Sequence, residues 1–130
     1  MTRVLIVDDQ PAFRRVLSQL LSQAGLDVIG EAGDISEAEA LVRTNPPDLA
    51  VIDVMLPDVN GLEGTPRLKA LAPDLRVILV SAYLNHAGIF QGVAREAGAE
   101  AFVPKDKLDL EVVRMWSSKG GEVGSAIPET

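Results

Sequence analysis

The feature that most constrains this chain is a series of short, unbroken apolar runs separated by stretches of helical period. Val4-Leu5-Ile6-Val7, Leu49-Ala50-Val51-Ile52, Val77-Ile78-Leu79-Val80 and Ala101-Phe102-Val103 show no polar alternation. Such runs suit strands covered on both faces, the situation of parallel sheets flanked by helices. Asp27 to Ala32 reads as a further, weaker strand at a sheet edge. Phe13, Val16, Leu17, Leu20 and Leu21 fall at i, i+3, i+4, i+7 and i+8, which predicts one apolar helix face. Arg14, Arg15, Ser18, Gln19 and Ser22 take the opposite face. Strands alternating with helices predict an α/β fold: an open parallel sheet with helices on both sides and right-handed crossovers.

Local signals set the expected boundaries. Pro11 opens the first helix and Gly25 closes it. Asp34 or Ser36 caps the second, where Ser36-Glu37-Ala38-Glu39 has capping-box spacing, and Pro46-Pro47 stops it. The third helix ends near Leu71 and contains Pro66. It is expected either to start late, with Thr65 as cap and Pro66 in its first turn, or to bend at the proline. A fourth helix is expected over roughly 85–97, ended by Gly98, and Leu108, Val112 and Met115 mark a last helical face. The reading is one domain over residues 1–118 and a flexible Gly/Ser-rich tail over 119–130.

Composition excludes several classes. A chain of 130 residues that is 47% hydrophobic can bury a core without staples. The absence of cysteine removes disulfide and thiolate chemistry and fits a cytoplasmic setting. A net charge of -7 argues against direct nucleic-acid binding by this domain. The N-terminal apolar run is too short for a signal peptide or a membrane span. Gly30-Glu31-Ala32-Gly33 lacks the helix and third glycine of a dinucleotide-binding turn.

In open parallel sheets, ligands bind outside the carboxyl ends of the strands. At those ends stand Asp8 and Asp9, then Asp53, Ser81 and Lys105. Carboxylates brought within about 5 Å repel by roughly 3 kcal/mol per pair at an effective dielectric near 20. Either one takes a proton or a cation fills the gap. An oxygen-only donor set suits Mg²⁺, or Mn²⁺, and no histidine or cysteine at these ends points to zinc. A metal-bound carboxylate can attack a phosphoryl group, and a hydroxyl and an ammonium can stabilise the charge that is moved.

These residues resemble the receiver domain of bacterial two-component response regulators, most like the NarL/FixJ subfamily. The motifs are Val4-Leu5-Ile6-Val7-Asp8-Asp9, Asp53-Val54-Met55-Leu56-Pro57 with Asn60-Gly61, Ser81-Ala82, and Phe102-Val103-Pro104-Lys105-Asp106. The resemblance implies a flavodoxin-like three-layer (βα)5 sandwich with a five-stranded parallel sheet of order 2-1-3-4-5. It implies that Asp53 is the phosphoacceptor. Asp9, Asp53 and the Met55 carbonyl would bind Mg²⁺, and Asp8 would hold it largely through water. Ser81 and Lys105 would contact the phosphoryl oxygens, and Ser81 and Phe102 would form the switch.

Implied partners are a histidine kinase or phosphotransfer protein, and downstream an effector or a second copy bound at the face of the fourth helix, fifth strand and fifth helix. Such a domain catalyses its own phosphorylation and dephosphorylation but turns over no separate substrate. Phe102 stands where many members have Tyr, Ser81 where Thr is commoner, and Asp106 where Pro is usual. Two other readings remain at this point. One is a constitutive binding module with weak switching. The other is a hydrolase with an aspartyl-phosphate intermediate, disfavoured because Asp8-Asp9-Gln10 lacks the Asp-x-Asp spacing. His86 is read as a solvent-facing helix flank, Tyr83 as a loop residue open to partners, and Trp116 as either core cover or partner face.

Overall fold

The computed structural model describes residues 1–82 and 87–117, with the backbone alone for 87–91. The strands are β1 (Arg3–Val7), β2 (Asp27–Ala32), β3 (Leu49–Asp53), β4 (Arg76–Ser81) and β5 (Ala101–Pro104). The helices are α1 (Pro11–Gln23), α2 (Ile35–Thr44), α3 (Gly61–Leu71), α4 (Ala87–Ala97) and α5 (Leu110–Arg114), with one-turn 3-10 segments at Lys105–Lys107 and Met115–Ser117. All strand pairs are parallel, in the order β2-β1-β3-β4-β5. This is the flavodoxin-like order expected.

Period-two geometry divides the core between the two sheet faces. Leu5, Val7, Ala50, Ile52, Val77 and Leu79 pack with Ile35, Ala38 and Val42 of α2, Leu68 of α3 and Ala94 of α4. Val4, Ile6, Leu49, Val51, Ile78 and Val80 pack with Leu17 and Leu21 of α1, and with Val113 and Trp116. Each residue of these central runs therefore serves one layer or the other, and the uninterrupted apolar pattern follows. Burying one such aliphatic side chain contributes about 1.5–3 kcal/mol.

Several local expectations need correction. Val16 is 54% exposed and is not on the buried face of α1. At about 100° per residue it points roughly 120° away from the midpoint of Leu17 and Leu21, which face the sheet. Of the two caps expected for α2, Asp34 is the one formed and Ser36 is not: Asp34 Oδ1 accepts from the Glu37 N–H at 2.8 Å. Glu37 Oε1 in turn accepts from the Gly33 N–H at 2.6 Å. The cap thus lies two positions before Ser36, and the returning bond of Glu37 goes to the Gly33 N–H rather than to that of the cap residue.

The helix α3 does not start late. It begins at Gly61, capped by Asn60 Oδ1 accepting from the Glu63 N–H at 2.8 Å, and Pro66 lies inside it. Pro66 has no N–H to offer the carbonyl of Leu62. Nearby, Thr65 Oγ1 donates to the Gly61 carbonyl at 2.8 Å. The last turn buries Val113 and Trp116, while Leu108, Val112 and Met115 are only half-buried against the same layer. Trp116 is therefore core cover. No described peptide bond is cis, so the one following Lys105 is trans. Tyr83, His86 and the expected tail over 119–130 lie outside the described residues. Among the described residues, no helix is long and apolar enough to cross a membrane.

Candidate functional site

The sheet delivers its polar residues to one edge. Asp8 follows β1 directly, Asp53 and Ser81 are the last residues of β3 and β4, and Lys105 follows β5. Asp53 pairs in register with Val80, and Ser81 with Pro104, which puts these ends level. Asp8 (1% exposed) and Asp53 (4%) are buried, whereas Asp9 is exposed. Asp8, Asp9 and Asp53 each offer a carboxylate oxygen, and these oxygens all lie within 4.8 Å of one another.

Each buried carboxylate is held by the backbone just beyond it. Asp8 Oδ1 accepts from the Gln10 N–H at 2.8 Å, and Asp53 Oδ1 from the Met55 N–H at 3.0 Å. These bonds fix the inner oxygens and leave the Oδ2 atoms for other partners. Lys105 Nζ stands 2.7 Å from Asp8 Oδ2 and 3.3 Å from Asp53 Oδ2. The contact with Asp8 is an ion pair without directed hydrogen-bond geometry, so the buried Asp8 Oδ2 accepts no hydrogen bond.

One ammonium faces a cluster of carboxylates, and the balance is unfavourable to ionisation. The Asp53 carboxyl is pushed up to about 6, chiefly by burial and further by the Asp8 charge. The Met55 N–H and Lys105 oppose that rise without cancelling it. A divalent cation would meet the same deficit. The donor set is all oxygen, a single ammonium serves three carboxylates, and the exposed Asp9 opens the cluster to water, so these residues fit a hard ion that keeps several waters.

The remaining expected residues are placed as follows. Ser81 is fully buried at the end of β4. Met55 is half exposed, with its N–H committed to Asp53. Phe102 is buried on β5 opposite Leu79, within the layer shared with α2, α3 and α4.

Three contributors were not singled out as site residues in the sequence. Phe13, read only as part of a helix face, places its ring centroid 4.1 Å from Lys105 Nζ. Arg14, read as surface, donates through Nη1 to the Asp8 carbonyl and pairs with Glu31 at 3.0 Å. Gly61 sits against the phosphoacceptor candidate's own backbone: a Cβ there would overlap the Asp53 carbonyl oxygen. The Gly61 N–H also donates to the Val54 carbonyl at 2.9 Å. An Asn-Gly pair before a helix was the available signal for this close approach.

A five-stranded parallel sheet of this order, with clustered aspartates and a lysine at the carboxyl ends of its strands, is the architecture of a receiver domain. The response regulator receiver domain family matches residues 4–115, and the chain belongs to that family. It is 41% identical over 115 residues to the DNA-binding transcriptional activator DevR/DosR of Mycobacterium tuberculosis, covering 88% of this chain and 52% of that protein. The chain thus spans about half the length of that relative. A LuxR-family two-component response regulator from Aurantimonas sp. superposes with a TM-score of 0.82 at 30% identity, over 90% of this chain and 83% of that one. A CheX–CheY–BeF3–Mg complex from Borrelia burgdorferi contains a chain that superposes with a TM-score of 0.79 at 27% identity, over 89% of this chain and 87% of that one.

Proposed function

We propose that this receiver domain is a phosphorylation-dependent switch that accepts a phosphoryl group on Asp53. The observation that carries the reading is the meeting of Asp8, Asp9 and Asp53 oxygens within 4.8 Å beside Lys105. An oxygen of the Asp53 carboxylate attacks phosphorus. The bond from phosphorus to the donor's imidazole nitrogen, or to the acyl oxygen of a small phosphodonor, breaks with its electron pair leaving on the donor. Mg²⁺ or Mn²⁺ would be held by Asp9, Asp53 and the Met55 carbonyl, with Asp8 acting through water. When bound, it supplies positive charge against the phosphoryl oxygens.

The protein residues divide the remaining work. The Met55 N–H holds Asp53 Oδ1, which orients the carboxylate before attack. Lys105 exchanges its contact with Asp53 Oδ2 for the phosphoryl oxygens, and the Ser81 hydroxyl donates to them. Withdrawal of Ser81 toward the phosphoryl group alters the packing around Phe102. The face of α4, β5 and α5 changes with it, and an effector or a second copy binds there. The donor is a histidine kinase, a phosphotransfer protein or a small phosphodonor. The BeF3–Mg composition of the Borrelia complex supports the same ligand chemistry here.

The test is labelling with a small phosphodonor in the presence of Mg²⁺, read by intact mass. One phosphoryl group should be added, and Asp53→Ala should take none. Full labelling of Asp53→Ala would remove the assignment.

A further inference from the structure

We infer that Phe13 is a positioning residue whose ring face holds the Lys105 ammonium at the carboxylate cluster, ready for the phosphoryl oxygens; this rests on the Asp53 reading above. Lysine carries its charge on a flexible four-carbon stem with three rotatable donors. Two carboxylate contacts leave such a group free to swing about the line between them. The ring adds a third contact. Lys105 Nζ stands 4.1 Å from the Phe13 centroid, well inside the roughly 6 Å reach of a cation–π contact. Only 12% of the Lys105 side chain is exposed, so water competes little for the ammonium and the contact is stronger than at a wet surface.

The placement of Phe13 is itself set by the fold. It lies in the first turn of α1, which Pro11 opens, and its half-buried ring packs in the layer shared by α1, Val113 and Trp116. Arg14, the next residue, ties that turn to the Asp8 carbonyl. The ring therefore moves with the β1 end of the site, while Lys105 comes from the β5 end. The ring face attracts the cation most strongly near its axis, and the attraction weakens gradually for small sideways shifts. The ammonium can then shift from Asp8 toward a phosphoryl group on Asp53 without escaping to solvent. A leucine would fill similar space and would not hold the charge.

The experiment uses the full chain with Mg²⁺ and either a small phosphodonor or beryllofluoride. Phe13→Leu should slow phosphorylation by Asp53 and weaken beryllofluoride binding roughly fivefold, the effect of an ordinary cation–π contact. Phe13→Tyr, which keeps the ring, should restore both. Phenylalanine analogues carrying successively more fluorine at position 13 keep the shape and drain the ring face of charge. The rate should fall stepwise along that series, with Mg²⁺ affinity unchanged. A rate that stays flat along the series while Asp53 is still labelled overturns the role of Phe13 alone. Equal labelling of wild type and Asp53→Ala overturns both readings. A purely structural role for the ring would show as Leu and Tyr losing stability without a trend along the fluorine series, which also contradicts the inference.

Discussion

Removing one negative charge from the cluster should stabilise the metal-free protein. The perturbation is Asp53→Asn, which keeps shape and discards the charge. In the folded protein the Asp53 carboxyl is raised from 3.8 to about 6. The folded state therefore binds this proton more tightly than the unfolded chain. Its contribution is fully present below the unfolded value of 3.8 and is lost as pH rises through about 6. At 1.36 kcal/mol for each tenfold change, a rise of this size corresponds to about 3 kcal/mol; allowing for water at the open rim, about 2 kcal/mol is expected. Above pH 6 the ionised carboxylate is a liability that asparagine lacks. Urea unfolding in the presence of a chelator should show Asp53→Asn to be the more stable protein near pH 7.5, by about 2 kcal/mol. The gap should close as pH falls toward 4, because a protonated carboxyl and an amide then resemble each other. Saturating Mg²⁺ should reverse the order, since a ligand at one hundred times its dissociation constant adds about 2.7 kcal/mol to the state that binds it. A variant less stable than wild type without metal, or a gap indifferent to pH, would refute this electrostatic account.

Other substitutions test the scaffold around the site. Gly61→Ala drives a Cβ into the Asp53 carbonyl and should cost about 1–3 kcal/mol in urea unfolding, with slower phosphorylation because the acceptor strand end must move. Lys105→Met leaves Asp8 Oδ2 buried beside no compensating charge. It should lower phosphorylation by a small phosphodonor by about a hundredfold, the lower end of the scale for losing a donor to developing charge, as single-turnover kinetics would show. Pro66→Ala restores a helical N–H toward Leu62 and should stabilise the fold by roughly 1–3 kcal/mol without altering the labelling of Asp53.

The strands and the chemistry at their ends were legible because both depend on local pattern. A fully buried parallel strand must be apolar throughout, so β1, β3 and β4 announce themselves, and the next chemically capable residue marks the rim. Asp8, Asp9 and Asp53 were found this way. What escaped depends on geometry that no short window contains. Val16 satisfies helical spacing, yet the direction in which α1 meets the sheet is set by Leu17 and Leu21. For α3, Pro66 left a late start or a bend open, and the structure removes the late start. The Asn60 cap and the fit of Gly61 under Asp53 outweigh the single N–H that proline removes. For α2 the sequence leaves Asp34 and Ser36 both open as caps, because Asp34-Ile35-Ser36-Glu37 and Ser36-Glu37-Ala38-Glu39 carry the same spacing, and the structure selects Asp34. Phe13 looked like any apolar helix residue, since only the folded sheet brings Lys105, far away in the chain, over its ring.

The most direct measurement is a Mg²⁺ titration of the unphosphorylated protein followed through its backbone amide resonances. Saturable shifts should concentrate at Asp8, Asp9, Gln10 and at Asp53 to Met55, and both Asp8→Asn and Asp53→Asn should weaken them. Binding that leaves those amides untouched, or that survives both substitutions unchanged, would contradict a cation site at the carboxyl edge of this sheet.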